Sequence, residues 1–254
     1  MEGLAGKRAL VTGGGSGIGR SIALKLAREG CDIALIDIDE PAANRVAGEI
    51  RALSRQAAAT GGDVSSVESV RAAVADLAGA PFDILVNNAG IARLGALLTM
   101  PEKDWRETFA VNVDGTFNVS RAVVPGMVER RRGAVVNLAS WLGRRGMPPF
   151  GAYAASKFAV VAMTQTLALE VAASGVRVNA VCPGLIVDTR MREALEQEAD
   201  RAGLPRAAER AKTIPLGRAG TPEDVARIVA FLASDEAGYV TGAAYDVTGG
   251  LWMT

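Results

Sequence analysis

The stretch Thr12-Gly13-Gly14-Gly15-Ser16-Gly17-Ile18-Gly19 decides the fold of this 254-residue chain. It follows an apolar, β-branched segment over 8–12 and opens directly into helical spacing over 17–29, so it is a turn between a strand and a helix. Glycine lets the backbone turn sharply and come close to a ligand, and the first turn of a helix offers unpaired N–H groups at the positive end of its dipole. A pyrophosphate suits that cradle. The spacing Gly13-x-x-x-Gly17-x-Gly19 differs from the ordinary G-x-G-x-x-G fingerprint, so the glycines need a second element beside them. Asp37 supplies it: it ends the next strand, where a carboxylate can accept hydrogen bonds from the hydroxyls of an adenosine ribose. The same charge repels a 2′-phosphate, and Ser16 and Ile38 bring no cation to receive one, so NAD is expected over NADP. Asp63-Val64, after the third strand, suits an adenine ring.

Outward from this turn, strand-like runs at 8–12, 32–37, 57–61, 84–87, 134–139 and 177–181 alternate with helical spacing at 17–29, 40–54, 67–78, 102–129 and 153–173. A helix over 222–233 and a strand near 243–247 complete the series. The rhythm predicts an α/β fold, a doubly wound parallel sheet of about seven strands covered by helices on both faces, with its ligand crevice beyond the carboxyl ends of the strands. No repeat or linker divides the chain, so one domain is expected. The segment 188–212, rich in Arg, Glu and Ala, reads either as a solvated helical excursion or as a substrate lid.

Composition narrows the partners. Hydrophobic residues make up 49% of the chain, enough for a substantial core, and 28 basic residues balance 28 acidic ones. That balance supplies no field for a nucleic-acid backbone or an anionic membrane. No apolar run is long enough to span a bilayer and residues 1–11 lack a signal-peptide plan, so a cytoplasmic location is expected. Cys31 and Cys182, each among apolar neighbours, read as buried thiols. Histidine is absent, which removes the commonest general base and zinc ligand; no metal is expected, and proton transfer must use another group.

Tyr153 and Lys157 lie four apart in a helical segment and share a face. A free phenol titrates near ~10, and an adjacent ammonium is expected to bring it toward neutrality. Asn112 falls inside the helix expected over 102–129, where asparagine is a poor helix former. Asn88, Ala89 and Gly90 follow the fourth strand, where close approach of a cofactor requires small side chains.

Taken together, Thr12-Gly13-x-x-x-Gly17-x-Gly19, Asn87-Asn88-Ala89-Gly90, Asn112, Ser140 and Tyr153-x-x-x-Lys157 resemble the pattern of the short-chain dehydrogenases/reductases, over nearly the whole chain. The resemblance implies a Rossmann-type domain that moves a hydride between NAD and a small alcohol or ketone, with Tyr153 as acid/base. It implies that Lys157 also bonds the nicotinamide ribose, that Ser140 bonds the substrate oxygen, and that Asn112 anchors a water in a proton path from the lysine. The cofactor set it suggests is Gly13, Gly15, Ser16, Gly17, Ile18, Gly19, Asp37, Ile38, Asp63, Val64, Asn88, Ala89, Gly90, Tyr153, Lys157, Pro183, Gly184, Ile186 and Thr189. Thr189 stands one residue later than the family's usual threonine after Pro183, so Thr189 through a bulge, Asp188 or a backbone group could make the nicotinamide contact.

Substrate-facing candidates are Trp141, the 93–97 loop, 147–150 and the 188–212 segment; Arg144 and Arg145 read as solvated. The C-terminal Gly249-Gly250-Leu251-Trp252-Met253 is similar to polyol, diol and acetoin dehydrogenases. A 3-oxoacyl-thioester reductase using NADPH would share the catalytic residues, and a non-catalytic dinucleotide-binding regulator is the reading from another class. Long apolar helices over 102–129 and 153–173 predict a homo-oligomer, and the resemblance suggests a homotetramer.

Overall fold

The structure, a computed structural model, describes residues 1–201 and 206–253. Seven strands, β1 (Arg8–Thr12), β2 (Asp32–Asp37), β3 (Ala57–Gly61), β4 (Ile84–Asn87), β5 (Gly133–Leu138), β6 (Val176–Pro183) and β7 (Ala244–Val247), form one sheet in the order β3-β2-β1-β4-β5-β6-β7. Every pairing is parallel. The order reverses between β1 and β4, which opens a crevice at the carboxyl ends of the strands.

Helices cover both faces because successive strand side chains point to opposite sides. Ala9 and Val11 of β1 join a cluster with α1 (Gly17–Arg28), α2 (Glu40–Ala52) and α9 (Pro222–Ala233). Leu10, between them, faces the other way, toward α3 (Val67–Asp76), α5 (Gly115–Glu129) and α6 (Gly151–Val171). With both faces buried, the strands carry unbroken apolar runs rather than alternating ones. Remaining helices are α4 (Glu102–Phe109), α7 (Arg190–Arg201) and α8 (Ala207–Ala211). Local signals start several of them: Asp39 accepts from the Ala42 N–H at the head of α2, and Thr221 with Asp224 forms a capping box on α9.

The single helix expected over 102–129 is instead two, α4 and α5, joined by a π turn over Ala110–Asp114. The extra residue is accommodated because Asn112 takes partners elsewhere. Its side chain bonds Ile91, and its carbonyl accepts the Thr116 hydroxyl at 2.8 Å. Cys31 and Cys182 are both free and buried, as expected, and burial pushes the Cys31 thiol up to about 12. Among the described residues no helix is long and apolar enough to cross a membrane.

The expected 188–212 segment contains α7 and α8, while its centre at 202–205 lies outside the described residues. Met191, Arg192, Leu195 and Arg210 from this segment line the crevice, while Glu193, Ala194 and Gln197 face solvent, so one side of it walls the site and the other is solvated.

Candidate active site

The crevice is a cavity of about 540 Å³ that runs from the turn after β1 to the head of α6. At one end the glycine turn is shaped by close contacts. Gly13 and Gly17 have φ of +63° and +51°, and a Cβ on Gly19 would stand 2.0 Å from the Gly13 carbonyl oxygen. No side chain larger than hydrogen fits there. Asn88 secures the turn from the β4 side, its Nδ2 donating to the carbonyls of Thr12 and Gly13 at 3.0 Å each. Thr12 reciprocates, its hydroxyl accepting from the N–H groups of Asn88 and Ala89 at 3.0 and 3.1 Å. This role of Thr12 lies outside the residues expected from the sequence, although the threonine stands at the start of the glycine run.

Asp37 lies across the turn, its carboxylate accepting the Gly15 N–H at 2.8 Å and the Asp39 N–H at 2.9 Å. Two backbone donors thus fix a negative charge at the cavity wall. Ser16, Gly17, Ile18, Ile38, Asp63, Val64, Ala89 and Gly90 line the same space. Gly15 does not: it is buried beneath the turn, with Asp37 and Ala42 against it. The residues present fit a dinucleotide. The glycine cradle leaves room for phosphates against the N-terminus of α1, where Ser16 makes no side-chain cap and the helix N–H groups stay available.

At the other end Ser140, Tyr153 and Lys157 meet. Ser140 follows β5 and caps a short 3₁₀ turn, accepting the Leu142 N–H at 3.1 Å, and it lines the cavity with Tyr153. Lys157, one helical turn after Tyr153, is 4% exposed; its Nζ donates to the Leu138 carbonyl at 2.7 Å and lies 5.7 Å from the Tyr153 ring centroid. Asn112 is fully buried and does not line the cavity. Its amide pairs with both backbone groups of Ile91 at 2.8 and 2.9 Å and donates to Ser156 at 2.9 Å. Gly90 lets these groups close in, since a Cβ there would stand 3.1 Å from the Asn112 oxygen and 3.4 Å from the lysine nitrogen.

Charge in this pocket differs from the expectation. Burial raises the Tyr153 phenol above its ordinary value, opposed by the Ser140 hydroxyl and the positive charge of Arg192. Burial also brings the Lys157 ammonium down from 10.5 to about 8. The lysine therefore does not by itself draw the phenol toward neutrality. It is desolvated along with the tyrosine, and a group that cannot easily keep its own proton is a weak electrostatic partner.

Pro183, Gly184, Ile186 and Thr189 all reach the cavity. Asp188 takes φ of +56°, and Thr189 stands against Gly17 while its hydroxyl accepts the Arg192 N–H at 3.0 Å. Of the substrate-facing candidates, Trp141, Met147 and Phe150 line the cavity and none of the 93–97 loop does. Arg145 is exposed, as expected, whereas Arg144 is partly withdrawn from solvent. Arg144 is paired with Asp246, and Arg145 lies over both Trp141 and Trp252. Arg190, Arg192 and Arg210 were not singled out from the sequence, because their meeting at the cavity depends on how α7 and α8 fold back.

The family model described as Enoyl-(Acyl carrier protein) reductase matches residues 13–252. The chain is 43% identical over 243 residues to 2-(S)-hydroxypropyl-CoM dehydrogenase 3 of Xanthobacter autotrophicus, covering 95% of this chain and 94% of that protein. It is 41% identical over 250 residues to the 3-oxoacyl-(acyl-carrier-protein) reductase FabG of Thermotoga maritima, covering 98% of each. Among solved structures, NAD⁺-bound xylitol dehydrogenase superposes with a TM-score of 0.92 at 33% identity, over 97% of this chain and 99% of that one.

Proposed function

Because the chain belongs to the short-chain dehydrogenase/reductase family, we propose that it transfers a hydride between NAD and a small secondary alcohol or ketone, with Tyr153 exchanging the proton. The observation that carries this reading is one cavity holding Ser140, Tyr153 and Lys157 at one end and the Asp37 carboxylate on the glycine turn at the other. When bound, an oxidised nicotinamide would supply the hydride acceptor. In oxidation, Tyr153 as phenolate takes the hydroxyl proton while the carbinol hydrogen leaves with its electron pair; reduction reverses both transfers. Ser140 holds the substrate oxygen. Lys157 holds the ribose, and Asn112, through Ile91 and Ser156, positions the wall against which the lysine rests.

NAD is favoured over NADP because the carboxylate at Asp37 is fixed by two backbone donors and cannot swing away from a 2′-phosphate. Arg190, a cation lining the cavity, has its guanidinium on Asp39 at 2.8 Å. A polyol or diol is the narrower substrate reading. Similarity to the Thermotoga reductase supports a second one, reduction of a 3-oxoacyl thioester with NADPH.

Initial rates on diols, sugar alcohols and secondary alcohols, each with NAD and with NADP, test this. Turnover with NAD is expected, and Tyr153→Phe should lower kcat by ~10²–10⁴. Turnover of a 3-oxoacyl thioester with NADPH alone would put the second reading first. Cofactor binding without turnover of any substrate would leave a dinucleotide-binding regulator.

A further inference from the structure

We infer that the alcohol accepted by this site carries a compact anionic group, a carboxylate, held by Arg192 and Arg210 at a distance from the carbinol carbon. The inference rests on the proposed alcohol oxidation and names the substrate class for it. Arg192 projects from the first turn of α7 into the Tyr153 end of the cavity, with its side chain only 16% exposed. Its Nε donates to the Ile186 carbonyl at 3.3 Å, but Nη1 has no hydrogen-bond partner. Glu196 forms an ion pair with it at 3.8 Å, beyond hydrogen-bonding reach.

Glu196 is already engaged. It accepts the Arg210 guanidinium at 3.3 Å and the Ala207 N–H at 3.0 Å. One carboxylate thus serves two guanidiniums, that of Arg192 on a side chain 16% exposed and that of Arg210 on one 32% exposed, and Arg210 too has a buried N–H, on Nε, without a partner. Among the described residues lining the cavity, the acids are Asp37 and Asp63, both at the dinucleotide end. Among the described residues the two guanidiniums share the one carboxylate of Glu196, which leaves positive charge in excess beside apolar walls from Leu142, Phe150 and Leu195. Burial and the neighbouring Arg210 act against the Arg192 charge and Glu196 supports it; the cavity that Arg192 lines is the one that Tyr153 lines. A buried guanidinium with an open N–H recognises a planar carboxylate through paired, charge-assisted hydrogen bonds. A neutral polyol accepts the N–H through a hydroxyl but leaves the charge unpaired.

Matched substrates test the inference: 3-hydroxybutyrate and 4-hydroxypentanoate, each against its neutral amide, compared by kcat/KM with NAD. The acids are expected to be favoured roughly tenfold or more, through KM. In Arg192→Gln and Arg210→Gln the acid-to-amide ratio should fall toward one, and Arg192→Lys should restore part of it. Equal use of acid and amide by the wild type, or a ratio that neither glutamine variant changes, overturns the inference while leaving alcohol oxidation intact. Butyrate binding in the presence of NAD, followed by tryptophan fluorescence, separates the two readings. Butyrate that binds and is weakened about tenfold by Arg192→Gln upholds the anion site even where no alcohol turns over, in which case only the proposed reaction fails. Butyrate that does not bind overturns the anion site.

Discussion

At the scale of single residues, Lys157 shows how a site can be built against stability. Its fall from 10.5 to about 8 corresponds to roughly 3 kcal/mol working against the buried ammonium. Below pH 8 the folded and unfolded chains both carry the proton and the cost is fully present. Between 8 and 10.5 the folded chain has lost the proton while the unfolded chain still holds it, so the cost fades as pH rises. Urea unfolding of wild type and Lys157→Met should therefore show the wild type gaining about 2 kcal/mol on the variant between pH ~6.5 and ~9.5. A gap that does not move with pH would mean that the lysine keeps its ordinary proton affinity. The Tyr153–Lys157 pair is legible in sequence because the helix itself fixes its spacing. The Leu138 carbonyl that receives the ammonium is not, since it arrives from β5 through the tertiary fold.

At the scale of elements, the β1 turn and α1 were legible because periodicity and glycine chemistry are local properties. The expected strands 8–12, 32–37, 57–61 and 84–87 coincide with β1 to β4. The π turn was not legible, because what permits it is Asn112 bonding Ile91 across the chain rather than any preference within 102–129. Glycines in these elements divide by surroundings. Gly19→Ala puts a carbon onto the Gly13 carbonyl and should lose roughly 1–3 kcal/mol. Gly48→Ala, on the exposed side of α2 with nothing within 4 Å, should gain about 0.5–1 kcal/mol. Thermal unfolding of both variants checks this pair. Changes of the same sign would mean that helix propensity, not the turn's close contacts, governs Gly19.

At the scale of the whole molecule, apolar side chains remain outside the two clusters on the sheet faces. Phe117 on α5 and Phe158 and Leu169 on α6 are 50%, 45% and 84% exposed. Removing such surface from water favours self-association by roughly 25 cal/mol per Å². Sedimentation is expected to give an oligomer, a homotetramer on the proposed reading, and Phe158→Arg with Leu169→Glu should shift it to smaller species. A wild type that sediments as a monomer would remove the oligomer from the account. The helices' excess apolar surface was readable from composition along α6; which residues stay uncovered depends on how α5 and α6 seat on the sheet.

The ion pair between Arg190 and Asp39 joins two parts of the molecule with different tasks. Asp39 caps α2 beside the carboxylate that faces the ribose, and Arg190 begins the helix that carries Arg192. One surface ion pair thus spans the two ends of the crevice, and any coupling it carries runs between the two ligands. Thermodynamic linkage then requires reciprocity: however much the dinucleotide tightens the hold on the alcohol through this route, the alcohol tightens the hold on the dinucleotide by the same factor. Because the pair is open to solvent, dissolved salt screens it, and the cooperativity carried by this route weakens as ionic strength rises.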